Sequence, residues 1–518
     1  MGRFLGKPGF LLVHVILLGF LFHMNCRKDT APYPADGGAE GYPRLAMWWP
    51  DTWKQPVSDL ARYDWIGFGE WDNMATVAAL KQANPNQKHF MDFSITETSW
   101  SWWEDKKTLV EKIPAEWFLT QRGARLAQPL DGQQTTVFVD TITTADGMRL
   151  FEIGDIVACQ LESMKVLEVD ENAKSLTVQR GFVRSAAPHP AGSRIAPHIT
   201  FWPESWVMNM SRMCPMVDLN DGAGAQRWVD FAGRHFAPAG EWDGYIVDRI
   251  EKEQSWLVPR WCRSIDPDCS NSKVHDGYAA FDAAWYLGCA DFLDFLRELF
   301  PGKAIISNSS GALYLKLNSA IYEGFPGNWS NTIPETYQDW ADRALGENGY
   351  LNVSKSGFTP NYSLVETYED EEGPEGGLAY DNPFEHPDFV PNYRKMRFGL
   401  ATALLGDGYF SYEINTNGHG ALGLMWFDEY DNGGKQRGYL GQPNGAARKI
   451  LQAGDGWVWR RDFERGMVIC NPTTAPATVD LGGEYRLIKG TQLPAVNSGA
   501  KVSHVTLQPG DGRILLKN

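Results

Sequence analysis

Short apolar runs alternate with longer helix-patterned segments along most of this chain, and that alternation limits its possible folds more than any other feature. Strand-like runs are read at YPRLAMWW (42–49), YDWIGFGEW (63–71), KHFMDFSI (88–95), GYIVDRI (244–250), KAIISNS (303–309), SAIYEGF (319–325), FTPNYSLVETY (358–368) and GDGYFSYE (406–413). Helical periodicity fills intervening segments at 225–236, 278–300, 334–345 and 392–405. Strands that are apolar on both faces and separated by helices build a parallel sheet covered on both sides. Eight of them predict an α/β fold, a (β/α)8 TIM barrel spanning 42–450.

Two stretches lack the helical period. Residues 130–198 hold short runs such as TTVFVDTI, FEIGDIVACQ and SLTVQRGFV between GD, DEN and RG turns, which predicts a small all-β insertion inside the barrel. Residues 455–518 repeat strand and turn signals every eight to twelve residues and predict a C-terminal β-sandwich.

The N-terminus reads as a targeting segment. Arg3 and Lys7 precede an apolar stretch from Gly9 to Phe22 that is short for a bilayer span. Residues 1–26 are therefore expected to be a signal peptide, and 27–41, rich in Pro and Gly, a tether. The segment is similar to a bacterial lipoprotein signal, which implies lipidation of Cys26, although His23, Met24 and Asn25 depart from the usual residues before the cysteine. The expected location is the periplasm or bacterial cell surface, with membrane contact only through that lipid. Six further cysteines in an oxidising compartment permit disulfides, and Cys262 with Cys269 is the best candidate pair.

Charge and aromatic content narrow the partners. With 48 Lys+Arg against 64 Asp+Glu, the net charge of −16 argues against nucleic acid, which requires a basic footprint. The 21 tryptophans serve either a large core or stacking surfaces for flat apolar faces such as those of sugars.

In a barrel the working residues stand at the C-terminal ends of strands. Asp248, Glu323, Glu366, Glu413 and Glu70 end predicted strands, and Asp92 lies within one. Any one of them could be a rim carboxylate paired to Arg or capping a helix, but a mouth crowded with carboxylates is costly unless used. Glycoside hydrolysis needs two carboxyl groups across the scissile bond. Asp248 as nucleophile or base and Glu323 as general acid are the first choice, with Glu366 and Glu413 as alternative acids. Glu70, Trp71, Asp92, Trp102, Trp103, Trp256, Trp329, Tyr412 and Asp428 are expected to contact substrate. Asp428 lies in the Asp- and Gly-rich segment 426–443, a substrate loop on this reading, with a solvated connector to the sandwich as the alternative and a calcium loop as a weaker third. No P-loop, GxSxG elbow or zinc spacing is present, and GHGALG (418–423) does not open a helix in a βαβ unit, so no cofactor and no metal are expected.

Together WDGYIVD, NSAIYEGF, GYFSYE, WFDEYDN with GYLGQP, and a terminal β segment ending in GDGRILL resemble bacterial glycosyl hydrolases of the group called hypothetical glycosyl hydrolase family fifteen. The barrel core is also similar to the endo-α-1,4-polygalactosaminidase group, in which a strand-four Asp and a later Glu in a YEG-like segment occupy the site. The resemblance implies a (β/α)8 barrel, cleavage of a polysaccharide or glycan, and Asp248 with Glu323 as the matching carboxylates. A glycan-binding surface protein on an inactive barrel is the competing expectation.

Overall fold

The computed structural model describes residues 41–99, 113–160, 162–182, 185–200, 205–257, 268–270, 272, 274–309, 311–327, 334–369, 389–414 and 424–518. Eight strands form one parallel sheet in chain order: β1 (Ala46–Trp48), β2 (Trp65–Phe68), β3 (Lys88–Ser94), β4 (Gly244–Asp248), β5 (Ala304–Asn308), β6 (Ser319–Tyr322), β7 (Leu364–Tyr368) and β8 (Tyr409–Glu413). A parallel bridge between Leu45 and Phe410, with the Phe410 amide donating to the Arg44 carbonyl at 3.0 Å, closes β8 onto β1. The expected TIM barrel is the fold.

Side-chain alternation divides each strand between two cores. Ala46, Trp48, Trp65, Phe90, Ile246, Ile306, Ile321 and Leu364 fill the barrel interior. Their neighbours Met47, Ile66, Phe68, Met91, Phe93, Tyr245, Val247, Ile305, Val365, Phe410 and Tyr412 point outward and pack under the helices. Both faces of each strand are therefore dry, which is why the runs read as continuous apolar stretches.

The helices follow the strands in the usual order. After β2 comes α1 (Met74–Ala83), after the insertion α2 (Trp228–His235), after β4 α3 (Tyr278–Leu299), after β6 α4 (Tyr337–Leu345) and after β7 α5 (Tyr393–Leu405). Helix α5 is buried around most of its circumference, Lys395 and Arg397 included, because the C-terminal sheet covers its outer side. Gly512 makes that close approach possible: a Cβ there would stand 2.3 Å from Ala401 Cβ and 2.6 Å from the Arg397 carbonyl oxygen.

The insertion is all-β. Its six-stranded antiparallel sheet runs from Ala124 to Pro197 around its own core of Val137, Val157, Met164, Val166, Leu176, Val178 and Ile195. The C-terminal residues form six antiparallel strands between Arg448 and Leu516, hydrogen-bonded as one sheet that curls until its first and fourth strands in chain order touch. Cys269 is a free, buried thiol; Cys262, its expected partner, lies outside the described residues. Among the described residues no helix is long and apolar enough to cross a membrane.

One buried ion cluster holds the insertion together. The Glu162 carboxylate accepts from Arg180 Nε at 2.7 Å and Nη2 at 2.8 Å, and from the amides of Gly181 and Ala187 at 3.0 Å each; His189 Nε2 stands 2.9 Å away. Desolvation pulls its pKa upward, but these donors prevail and hold it at about 2. Removing one partner of such a pair strands the other charge in a dry site. Glu162→Ala is expected to lower the stability measured by chemical denaturation by about 3–5 kcal/mol at pH 7. Because the folded pKa lies below the ordinary value of 4.5, the wild-type advantage is complete above that value and fades as pH falls toward 2.

Candidate active site

Strand parity raises a polar layer above the apolar barrel interior. Two residues beyond Ile246 on β4 stands Asp248, two beyond Ile306 on β5 stands Asn308, and two beyond Ile321, just past the end of β6, stands Glu323. Backbone pairing sets Asp248 opposite Asn308 and Asn308 opposite Ile321. The three polar side chains thus meet at the mouth, and all are partly exposed. Asn308 Nδ2 donates to Asp248 Oδ1 at 3.2 Å and to Glu323 Oε2 at 2.9 Å. One nitrogen bonded to both keeps those two oxygens no more than about 6 Å apart.

Glu323 is positioned by its neighbours. Gly324 turns the chain immediately after it with φ 62°, a conformation glycine adopts without strain. The Phe325 amide donates to the Glu366 carbonyl at 2.8 Å and Thr367 Oγ1 to the Phe325 carbonyl at 2.6 Å, which ties the loop to β7. From α4, Arg343 Nη2 donates to the Glu323 carbonyl at 3.1 Å. The Tyr368 hydroxyl stands between carboxylates: it donates to Glu366 Oε2 at 3.2 Å and is also within hydrogen-bonding reach of Glu323.

Asp248 has a different setting. Desolvation raises its pKa to about 7, with Arg249 opposing and the charges of Glu323 and Glu97 adding to the rise. Arg249 is buried, in the left-handed region at φ 59°, with Glu97 Oε1 3.7 Å from Nη1 and Glu251 Oε1 3.4 Å from Nε. Like charges this close cannot both ionise at low cost, which is why the Glu323 charge adds to the rise at Asp248.

The remaining predicted residues separate by burial. Glu366, Glu413 and Asp92 share the inward parity but are 0%, 1% and 4% exposed, so they lie beneath the mouth; Asp92 Oδ2 accepts from Trp48 Nε1 at 2.7 Å. Tyr412 faces outward, and its hydroxyl donates to Glu369 on the helix side, so it is not a substrate contact. Asp428 is also corrected. Its Oδ2 accepts from the amides of Thr491 and Gln492 at 2.9 Å each, which makes it a joint to the loop between the fourth and fifth strands of the C-terminal sheet. Trp256 is partly buried, donates to Glu251 Oε2 at 2.7 Å and faces the Arg249 guanidinium. Glu70 and Trp71 are exposed beyond β2, where Trp53 Nε1 donates to the Trp71 carbonyl at 3.0 Å. Trp102, Trp103 and Trp329 lie outside the described residues.

Asn308, Arg249, Glu97, Tyr368 and Arg343 were not singled out from the sequence. The signal for Asn308 was present: it is the polar residue ending the strand between two strand-end acids. Among the described residues no group of three or more His, Cys, Asp or Glu side chains is arranged to hold a metal ion.

Residues 187–467 match the family described as Hypothetical glycosyl hydrolase family 15. Among solved structures the chain is similar to the glycoside hydrolase domain of PelA from Pseudomonas aeruginosa, with 12% identity, a TM-score of 0.35, and coverage of 74% of this chain and 96% of that one. It is also similar to the noncanonic maltogenic alpha-amylase AmyB from Thermotoga neapolitana, with 9% identity, a TM-score of 0.42, and coverage of 92% and 99%. A third similarity is to the GH36 alpha-galactosidase AgaA from Geobacillus stearothermophilus, with 9% identity, a TM-score of 0.37, and coverage of 92% and 55%. No curated protein matches the sequence.

The shared amide can be tested without a substrate. Asn308→Asp would place a third carboxyl group between two, so its folded pKa would rise above the unfolded value. The variant should match wild-type stability at pH 4 and lose about 2–4 kcal/mol relative to it as pH rises to 8. Parallel melting curves of the two proteins across that range would show the carboxyl groups to be apart.

Proposed function

The chain belongs to hypothetical glycosyl hydrolase family 15 and is a glycoside hydrolase, and from that premise we propose that it cleaves a glycan with retention of configuration, using Asp248 and Glu323. The observation that carries this reading is the one amide nitrogen bonded to both carboxyl groups. Retaining enzymes hold their two carboxyl groups roughly 5–5.5 Å apart, whereas inverting enzymes leave about 6.5–9.5 Å for a water molecule. The ceiling of about 6 Å between the bonded oxygens favours the first class.

The two environments support a division of roles opposite to the one expected from sequence. Asp248 is the member whose proton is held up to about pH 7, chiefly by desolvation, so it is the general acid. Glu323 receives the shorter bond from Asn308, lies beside Tyr368 and has the Arg343 guanidinium at its own carbonyl, all of which favour the carboxylate; it is the nucleophile. Glu323 attacks the anomeric carbon as the glycosidic carbon–oxygen bond breaks, and Asp248 gives its proton to the departing oxygen. Asp248, now ionised, takes a proton from water as that water attacks the anomeric carbon and releases Glu323.

The substrate we infer is a neutral or cationic glycan. Asp248, Glu323 and Glu97 stand at the mouth with Glu366 and Glu413 beneath it, and among the described residues Arg249 and Arg343 beside them are turned onto carboxylates and backbone carbonyls of the protein. A polyanionic sugar chain would meet repulsion there. Trp53 and Trp71, 61% and 59% exposed beyond the first two strands, offer faces on which sugar rings can stack, with Glu70 alongside. The signal reading of residues 1–26 supports an exported enzyme anchored through lipid on Cys26.

A glycan panel read by reducing-sugar release supplies the substrate, after which the variants decide the chemistry. Glu323→Gln should lose at least about a thousandfold in kcat on every substrate. Asp248→Asn should lose comparably on the natural glycan but keep most of its first-step rate on a glycosyl fluoride, whose leaving group needs no proton. Equal losses on both substrates would exchange the two roles, and wild-type turnover in either variant would exclude the pair. For the anchor, Cys26→Ser should abolish incorporation of labelled fatty acid; label retained by that variant would place the lipid elsewhere or nowhere.

A further inference from the structure

Arg249 directly follows Asp248, and its guanidinium is gripped from three directions. Glu97 Oε1, in the short ladder that pairs Glu97–Ser99 with Ser205–Val207, lies 3.7 Å from Nη1. Glu251 Oε1 lies 3.4 Å from Nε, and with the Gln254 amide turned to satisfy its neighbours, Nη2 donates to it at 2.6 Å. The Trp256 ring covers the guanidinium with 6.0 Å between ring centre and Cζ. The backbone accepts a left-handed φ of 59° at this non-glycine residue, and the side chain is 6% exposed. Such a conformation persists only when surrounding contacts determine it, and here they bring a cation to the base of the acid.

Glu97 is itself held from the far side. Ser205 Oγ donates to Glu97 Oε2 at 2.9 Å, and Ser205 begins the strand by which the chain returns from the β-insertion. A set of contacts therefore runs from that returning strand through Glu97 to Arg249, the residue that follows Asp248 in the chain and whose charge acts on it.

We propose that Arg249 is a positioning residue, seated by Glu97, Glu251 and Gln254, that sets how firmly Asp248 keeps its proton and hence the alkaline limit of catalysis. Other groups face Asp248 as well: Asn308 from β5 and Glu323 from the loop after β6, with Tyr368 and Glu366 of β7 behind Glu323. Against that background Arg249 and Glu97 act in opposite senses. The cation favours the Asp248 carboxylate and Glu97 disfavours it, both directly and by neutralising Arg249. Removing each should therefore move Asp248 in opposite directions, a signature that loosened packing does not produce.

The link from proton to catalysis rests on the reading of Asp248 as general acid, so the test reads the proton without turnover. A water-soluble carbodiimide with an amine nucleophile labels protonated carboxyl groups, and mass spectrometry follows labelling at Asp248 of the full-length enzyme from pH 4 to 9. In the wild type, labelling should fall with a midpoint near 7. Arg249→Met should raise that midpoint by roughly one pH unit, Arg249→Lys should return it close to wild type, and Glu97→Gln should lower it. Unmoved midpoints, or shifts of the same sign in Arg249→Met and Glu97→Gln, would overturn the proposal. Should Arg249→Met fail to fold, the shape-preserving Glu97→Gln decides alone, and an unmoved or raised midpoint overturns it. A wild-type midpoint below about 5 with both shifts intact would uphold the tuning by Arg249 and remove Asp248 as the proton donor.

Discussion

Two carboxyl groups that share one amide donor cannot both be charged without strong repulsion, and much of the architecture around the mouth serves to keep them there. Ile246, Ile306 and Ile321 lie one inward position below Asp248, Asn308 and Glu323, so the pair rests on a dry floor that strengthens every electrostatic term above it. Asn308 can stabilise both groups because it is neutral and donates two hydrogens from one nitrogen. A lysine at that position would favour both carboxylates as anions. The clamp of Arg343 on the Glu323 carbonyl and the bonds tying Phe325 to β7 hold the loop against the remaining repulsion.

The barrel was legible because its physics is written in every strand: dryness on both faces yields unbroken apolar runs, and the helices between them keep the 3.6 period. The acids at strand ends were legible for the same reason, since a charge ending an apolar run marks the mouth. Which of them reach the surface was not. Glu366 and Glu413 share the inward parity of Glu323 but sit beneath the mouth, and depth within a barrel depends on strand stagger, which no single strand records. Tyr412 shows the complementary limit, because one step along a strand turns a side chain from the lumen to the helix layer. Asn308 was missed because a neutral side chain has no chemistry of its own here and gains its role only from the two acids beside it.

The tryptophan excess divides in the same way. Trp48, Trp65, Trp117, Trp206, Trp228, Trp285 and Trp340 are each less than 2% exposed, so a third of the 21 tryptophans are structural filling for a barrel whose interior and outer layer are both large. Among the described residues Trp53 and Trp71 are the exposed tryptophans, and they are tied to each other through the Trp53 indole and the Trp71 carbonyl. The latch beneath them is polar: Thr52 Oγ1 donates to the buried Asp72 carboxylate, which also accepts from the Gly69 amide at 2.7 Å. A preformed loop of this kind lets an aromatic surface bind without first losing conformational entropy.

The acidic surplus has a similar explanation, and it bears on how the domains hold together. Asp428 accepts backbone amides from a loop of the C-terminal segment, Asp455 accepts the Tyr337 amide at the start of α4 and the Thr474 amide, and Arg397 of α5 reaches Asp511 at 3.0 Å. Each acid satisfies orphaned or charged donors where the C-terminal sheet meets the barrel. That sheet covers α5, whose preceding strand β7 carries Glu366 and Tyr368 and anchors the loop of Glu323. The C-terminal sheet is therefore linked to the loop of Glu323 through α5 and β7, so the packing that fixes the spacing of Asp248 and Glu323 extends well beyond the barrel mouth.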